Sequence, residues 1–186
     1  MLVDKKLRKR ILITLTVSIV VTVVMFYRYN FYFFFLRLIT PRTKKAENDA
    51  IIKDLHPIFA YKVARFVRTL EKEGRDVKLT SGYRSWEKQQ QLIDQGYQAA
   101  APGNSYHNYG MAIDMNVDNL VQASSVNNWK PVSNIAKNDF GFRWGGDFQG
   151  NWDKVHFDLG NTYKIDQLKN LYNLNQLVNK RYVKIF

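Results

Sequence analysis

An aspartate and a histidine in the second half of this 186-residue chain are residue types that bind catalytic metal ions. Each lies in a segment where apolar and polar residues alternate. Asp114 lies within Met111–Val117, and His156 lies within Val155–Leu159. Apolar and polar residues alternate in both segments, which predicts half-buried β-strands with Asp114 and His156 on the polar faces. If these strands are neighbours in one sheet, both side chains point into the same cleft.

A third candidate, His107, lies seven positions before Asp114. Extended chain would separate the two by ~23 Å at ~3.3 Å per residue, so they can share an ion only if the chain folds back between them. The segment Asn108–Gly110 permits such a turn. Two imidazoles and one carboxylate give zinc three protein ligands and leave the fourth position open, as in catalytic sites. Considered alone, each of these residues is more often a buried side chain with its hydrogen bonds made, or a solvent-exposed one, than a metal ligand.

Two further charged residues have positions suited to hydrolysis. Asp153 lies three residues before His156, close enough to act as a base beside the metal without binding it. Arg84 follows the first predicted strand, where it can stabilise the oxyanion that forms on an attacked carbonyl group.

The remaining pattern predicts the elements that hold these residues. Apolar residues recur at three- and four-residue spacing over residues 51–70, which predicts an amphipathic helix kinked at Pro57. A strand is expected at Val77–Thr80, a helix capped by Ser85 next, and a closing helix over Ile165–Val178. Because the helices and strands do not alternate regularly, we predict an α+β fold. It has a small mixed or antiparallel sheet flanked by helices around a zinc cleft, preceded by one transmembrane helix.

Composition and charge exclude several classes of protein. The chain has no Cys, which excludes a disulfide scaffold, a Cys-ligated zinc site, an iron–sulfur cluster and thiol catalysis. Of the net charge of +12, residues 1–45 contribute +9, from ten Lys or Arg and one Asp. Since the rest of the chain is only mildly basic, we expect no nucleic-acid partner.

The N-terminal segment predicts a membrane anchor. Ile11–Tyr27 is a run of 17 residues without charge between Arg10 and Arg28, and the aromatic stretch at 29–35 extends it. The run lacks the small-residue cleavage site of a signal peptide and the polar face of an interfacial helix. We therefore expect the chain to bind the lipid bilayer through residues 11–36.

Three blocks of residues, in the same order along the chain, carry a family resemblance. They are S-G-Y-R-S at 81–85, S-x-H-x-x-G-x-A-x-D at 105–114 and W-D-x-x-H-F at 152–157. Together they resemble the zinc peptidases of bacterial cell walls. This family comprises D-Ala-D-Ala carboxypeptidases and dipeptidases, and L-alanyl-D-glutamate endopeptidases that include phage endolysins.

The resemblance implies a role for each candidate residue. It implies three Zn²⁺ ligands, namely His107, Asp114 and His156. Asp153 resembles the catalytic base of the family, and Arg84 resembles the residue that holds the transition-state oxyanion. Ser105 and Tyr83 are expected to bind the substrate.

The implied function is hydrolysis of peptidoglycan stem peptides, most consistently at the L-Ala–D-Glu bond. The segment Phe142–Phe148, with sequence F-R-W-G-G-D-F, and an Asp rather than a Glu at position 153 both resemble the endopeptidase branch. Two alternatives stay open. The first is a D,D-carboxypeptidase that removes terminal D-Ala, and the second is a catalytically silent zinc-containing binding module of the cell envelope. A silent module has no need of a base, so Asp153 argues against it.

These inferences divide the chain into a basic tail at 1–10, a membrane anchor at 11–36, a linker at 37–48 and a zinc peptidase domain at 49–186. Peptidoglycan lies outside the cytoplasmic membrane. We therefore expect a single-pass protein of the cell membrane with its catalytic domain on the outer or periplasmic side.

Overall fold

A computed structural model describes residues 5–150 and 153–176, and the chain divides into two compact units between Ile39 and Thr40. The first unit is one helix, α1, over Lys5–Ile39. Its apolar side chains are widely exposed, for example Leu12 at 66% and Leu38 at 70%.

The expected membrane anchor at 11–36 is wrong. Among the residues that the structure describes, no helix combines the length and the apolar character needed to cross a bilayer. The uncharged run between Arg10 and Arg28 amounts to ~26 Å of helix, less than the ~30 Å hydrocarbon core, and Arg28 and Arg37 lie within α1. The transmembrane helix and the single-pass membrane location depended on this segment and are corrected with it, and the described residues give no support for the bilayer as a partner.

The second unit has the expected α+β class with a small antiparallel sheet. Its helices are α2 (Ala46–Lys53), α3 (Pro57–Lys72), α4 (Trp86–Asp94), α5 (Val126–Phe140) and α6 (Ile165–Gln176). Its strands are β1 (Val77–Ser81), β2 (Ala112–Val117), β3 (Arg143–Trp144) and β4 (His156–Asp158). Two 3₁₀ helices cover Tyr106–Tyr109 and Gly145–Asp147. The last two residues of the predicted helix at 165–178, and Trp152 of the third sequence block, lie outside the described residues.

Residues 51–70 form parts of two helices rather than one kinked helix. Helix α2 ends at Lys53 and α3 begins at Pro57, with the preceding His56 in a non-helical conformation at ψ 134°. Proline has no N–H to donate and restricts the residue before it to extended backbone, so it suits the first position of a helix. The predicted cap of α4 is present, because the Ser85 side chain accepts a hydrogen bond from the Lys88 N–H.

The four strands form one antiparallel sheet in the order β1-β2-β4-β3. In this sheet Asp114 of β2 lies opposite His156 of β4, and Asp158 of β4 lies opposite Arg143 of β3. Since side chains alternate along a strand, Asp114, His156 and Asp158 share one face of the sheet.

The opposite face of the sheet is apolar and carries the core. Ile113 of β2 and Phe157 of β4 lie opposite each other and are fully buried, together with apolar residues of α3 and α5. The Phe66 ring of α3 lies 5.7 Å from the Phe157 ring and 5.6 Å from that of Phe142. The core therefore fixes which face of β2 and β4 points away from it.

The predicted turn between His107 and Asp114 is built on Gly110. The 3₁₀ helix ends at Tyr109, and the next residue, Gly110, has a left-handed conformation at φ 66°. The His56 N–H donates to the Gly110 carbonyl at 2.9 Å. A Cβ at position 110 would lie 2.7 Å from the His56 nitrogen, so only glycine fits this approach.

We expect Gly110→Ala to lower the free energy of unfolding by about 2–4 kcal/mol, because alanine adds left-handed strain and a clash with backbone. Gly96→Ala is the matched control, since Gly96 has φ 82° and no atom within 4 Å of a built Cβ. It should cost about 1 kcal/mol. Urea denaturation of both variants measures the difference, and equal losses would contradict the close approach at Gly110.

Candidate active site

Three side-chain atoms converge at one point beside the sheet. His107 Nε2 lies 3.2 Å from Asp114 Oδ1 and 3.2 Å from His156 Nδ1, and His156 Nδ1 lies 3.0 Å from Asp114 Oδ1. Tetrahedral zinc with bonds of about 2.0 Å places its ligand atoms about 3.3 Å apart. The triangle therefore has the size of one face of a zinc tetrahedron, and these residues fit the ion that the sequence predicted.

The three residues come from different elements. His107 lies in the 3₁₀ helix Tyr106–Tyr109, Asp114 in β2, and His156 is the first residue of β4. The register of β2 with β4 brings the last two together, while the turn at Gly110 returns His107 to the same place.

Each imidazole is oriented by an acceptor on its far side. His107 Nδ1 donates to the Gly82 carbonyl at 2.7 Å, and His156 Nε2 donates to the Asp158 carboxylate at 3.0 Å. In the neutral, metal-binding form of each ring these acceptors hold the N–H, so the other ring nitrogen presents its lone pair to the cleft. Such outer hydrogen bonds are typical of metal-binding histidines.

The electrostatics of the cluster favour a cation. Burial alone would raise the pKa of Asp114, but attraction to His107 and hydrogen bonds from both imidazoles outweigh it and hold that pKa well below its usual range. Burial would lower the pKa of His156, but hydrogen bonds to Asp114 and Asp158 raise it to about 9. Both shifts reflect the mutual attraction between the imidazoles and the carboxylates that they contact.

Asp158 is a site residue that the sequence reasoning missed. Its side chain is 1% exposed, and it also accepts hydrogen bonds from Arg143 Nε at 3.0 Å, Arg143 Nη2 at 2.7 Å and the Gly160 N–H at 2.7 Å. Burial raises its pKa, but the hydrogen bonds from His156 and Arg143 give a net lowering, so it stays a carboxylate. The signal was the two-residue spacing of His156 and Asp158, which predicts that both share a strand face.

Arg84 is held at the edge of the cleft by two neutral hydrogen-bond partners and lies near one carboxylate. Its Nη2 donates to Ser81 Oγ at 2.9 Å and lies 3.5 Å from Asp114 Oδ2, while its Nη1 donates to Gln89 Oε1 at 3.0 Å. Gln89 is buried and donates in turn to the Ala100 carbonyl at 2.8 Å. Gln89 was also missed, because nothing local distinguishes it from its glutamine neighbours.

The other predicted site residues divide into two groups. Asp153 and Ser105 line the same cavity of about 540 Å³ as His107, Asp114, His156 and Arg84. Tyr83 is half-buried and does not line this cavity, so its role in substrate binding stays a prediction.

Asp153 approaches the site because position 145 has no side chain. A Cβ at Gly145 would overlap the Asp153 carbonyl oxygen, and the Asp153 N–H donates to the Gly145 carbonyl at 3.1 Å. Burial and the negative charge of Asp114 raise the pKa of Asp153 above its usual value, although His156, His107 and Arg84 partly offset the increase.

Comparisons with known proteins converge on one family. Residues 99–159 match the sequence profile of a peptidase M15 family described as D-alanyl-D-alanine carboxypeptidase. The peptidoglycan L-alanyl-D-glutamate endopeptidase CwlK of Bacillus subtilis (strain 168) is 34% identical over 126 residues, which is 57% of this chain and 74% of that protein.

Two solved structures are also similar to this chain. One is the Serratia marcescens L-Ala D-Glu endopeptidase ChiX, with a TM-score of 0.48, 21% identity, and coverage of 66% of this chain and 92% of that chain. The other is the vancomycin-resistance D,D-pentapeptidase VanY from a VanB-type cassette in complex with Zn(II). Its TM-score is 0.43 at 22% identity, with coverage of 67% of this chain and 84% of that chain.

We expect Asp158→Asn to weaken zinc binding about 10–100-fold, because the carboxylate that accepts from His156 Nε2 is lost. Competition with a chromophoric chelator measures the affinity. Asp147→Asn is the matched control, since Asp147 pairs with Lys137 at 3.0 Å on the exposed surface. If Asp158→Asn binds zinc as tightly as the wild type, Asp158 does not support the metal site.

Proposed function

The chain belongs to the M15 family of zinc peptidases that act on peptidoglycan, and within it we propose that this enzyme hydrolyses the L-Ala–D-Glu bond of the stem peptide. The observation that carries the choice of bond is the similarity to an L-alanyl-D-glutamate endopeptidase, at 34% identity over 74% of that relative. The Asp at position 153 supports the same choice, because the D-Ala-D-Ala enzymes that the sequence resembles mostly have Glu there.

We assign zinc to His107, Asp114 and His156. Bound there, zinc supplies Lewis-acid chemistry, which activates water near neutral pH and polarises the scissile carbonyl group. The support for this assignment is the spacing of the three ligand atoms and the outward hydrogen bonds that orient both imidazoles.

Asp153 is the proposed general base. It takes a proton from the attacking water as the new C–O bond forms, and it returns that proton to the amine as the C–N bond breaks. Two features support the role. Asp153 shares the cavity with the three proposed ligands, and its raised pKa lies closer to the range in which a carboxylate both accepts and releases a proton.

Arg84 is proposed to bind the oxyanion, and Ser105 to contact the substrate. The Arg84 guanidinium is held by Ser81 and Gln89 before any substrate arrives, so little reorganisation is needed when negative charge develops on the carbonyl oxygen. Ser105 lines the same cavity.

We expect Asp153→Asn to retain zinc and to lose about 10²–10⁴-fold in kcat, because the amide cannot accept the proton. Zinc content by elemental analysis and cleavage of purified muropeptides are measured on the same full-length sample. Asp139→Asn, on the exposed surface of α5, is the control and should match the wild type. Near-normal cleavage by zinc-loaded Asp153→Asn would contradict the base assignment.

The bond itself is tested by mass spectrometry of muropeptides incubated with the full chain, with and without a chelator. We expect chelator-sensitive products cut between L-Ala and D-Glu, restored when zinc is added back. The family description, D-alanyl-D-alanine carboxypeptidase, favours a second candidate, and loss of a single terminal D-Ala would establish it instead. Unchanged masses with zinc bound would contradict both activities.

A further inference from the structure

The active-site cavity contains a second arginine that the proposed hydrolysis does not use. Arg143, the first residue of β3, lines the cavity together with Arg84 and His156, and its side chain is 36% exposed. It reaches the metal centre through one intermediary, because the carboxylate of Asp158 bridges Arg143 Nη2 and His156 Nε2.

The guanidinium of Arg143 is fixed in orientation. Its Nε and Nη2 bind the two oxygens of Asp158 at 3.0 and 2.7 Å, and the rings of Tyr106 and Phe148 lie 5.1 and 4.7 Å from its Cζ. Arginine has five N–H donors, and this pair uses two of them. Among the described residues no acceptor binds Nη1, so that edge is available to a ligand in the cavity.

The backbone nearby is shaped around this guanidinium. A Cβ at position 160 would lie 2.5 Å from Arg143 Cζ, so any residue larger than glycine would displace the side chain. The Gly160 N–H also donates to Asp158 at 2.7 Å. This hydrogen bond fixes the carboxylate to which Arg143 is bound.

The charges of the cavity favour an anionic ligand. With zinc bound, the ion, Arg84 and Arg143 would carry four positive charges, against three negative ones on Asp114, Asp153 and Asp158. Arg84 donates from both of its terminal nitrogens, to Gln89 and Ser81, whereas Nη1 of Arg143 has no acceptor among the described residues. A planar guanidinium edge matches a carboxylate in shape and hydrogen bonding.

We propose that Arg143 binds the free carboxylate of the acidic residue that follows the scissile bond. This inference rests on the proposed cleavage between L-Ala and D-Glu. A glutamyl residue within a peptide uses one carboxyl group to join the next residue, and the other remains an anion unless it is amidated. That anion lies only a few covalent bonds from the scissile carbonyl group, and Arg143 lines the same cavity as the proposed zinc ligands. Arg143 therefore selects substrates with this free carboxylate.

The test combines two enzymes with two synthetic stem peptides, whose D-Glu carries either the free second carboxyl group or its amide. Amidation should lower wild-type kcat/KM about 10–100-fold, the range of a lost charge-assisted hydrogen bond. Arg143→Met should lower kcat/KM on the free acid by a similar factor relative to the wild type. On the amidated peptide the variant and the wild type should have nearly the same kcat/KM. Equilibrium binding of the product peptides that begin with D-Glu, in both forms, provides a readout independent of hydrolysis.

Two further variants separate charge recognition from structural damage. Arg143→Lys keeps a cation without the planar fork and should recover part of the preference for the free acid. Arg75→Met is the matched control, because Arg75 Nη1 pairs with Asp118 at 3.1 Å outside the cavity. Arg75→Met should leave kcat/KM unchanged for both peptides. Zinc content is measured for every sample.

The outcomes distinguish this inference from the function on which it rests. If the wild type cleaves and binds the free-acid and amidated peptides equally, Arg143 does not recognise the carboxylate, whatever the results for the variants. If Arg143→Met loses the same factor on both peptides, Arg143 only supports Asp158. If neither peptide is cut between L-Ala and D-Glu, the proposed function fails, and the binding of the two product peptides still decides the role of Arg143.

Discussion

The pairing of β2 with β4 is the constraint on which the rest of the site depends, because its register places Asp114 opposite His156. Side chains alternate along a strand, so a slip of one residue would turn one of the two toward the core. Ile113 and Phe157 prevent such a slip, since they are fully buried opposite each other on the apolar face. The energy that holds the metal centre in register therefore comes from the hydrophobic core behind it.

His107 depends on a different constraint, the close approach of Gly110 to the backbone of His56. The hydrogen bond between them joins the turn to the start of α3, a helix of the core. The Gly82 carbonyl after β1 then fixes the ring of His107. A change in any of these contacts would displace one proposed ligand while the strand pairing that aligns the other two remained.

The two arginines of the cavity differ in their partners, and this difference underlies the separate roles proposed for them. Arg84 donates to the neutral side chains of Ser81 and Gln89 and lies 3.5 Å from the Asp114 carboxylate, so no bidentate carboxylate pair occupies its guanidinium. Arg143 is bound side-on to Asp158, which in turn orients His156. One guanidinium is suited to charge that develops during the reaction, and the other to charge that the substrate already carries.

Local sequence determined the α+β class, the strand faces of Asp114 and His156, and the turn at Gly110. Hydrophobic alternation and the backbone freedom of glycine act over a few neighbouring residues, so a single segment encodes them. Local pattern also misled. The apolar run before Arg28 predicted an anchor that the structure does not support, and the helical spacing across Pro57 concealed a break. Only the tertiary structure decided that β2 pairs with β4 in this register and that Arg143 meets Asp158. These contacts join residues far apart in the chain, and their energy depends on strand pairing and core packing, which no single segment encodes.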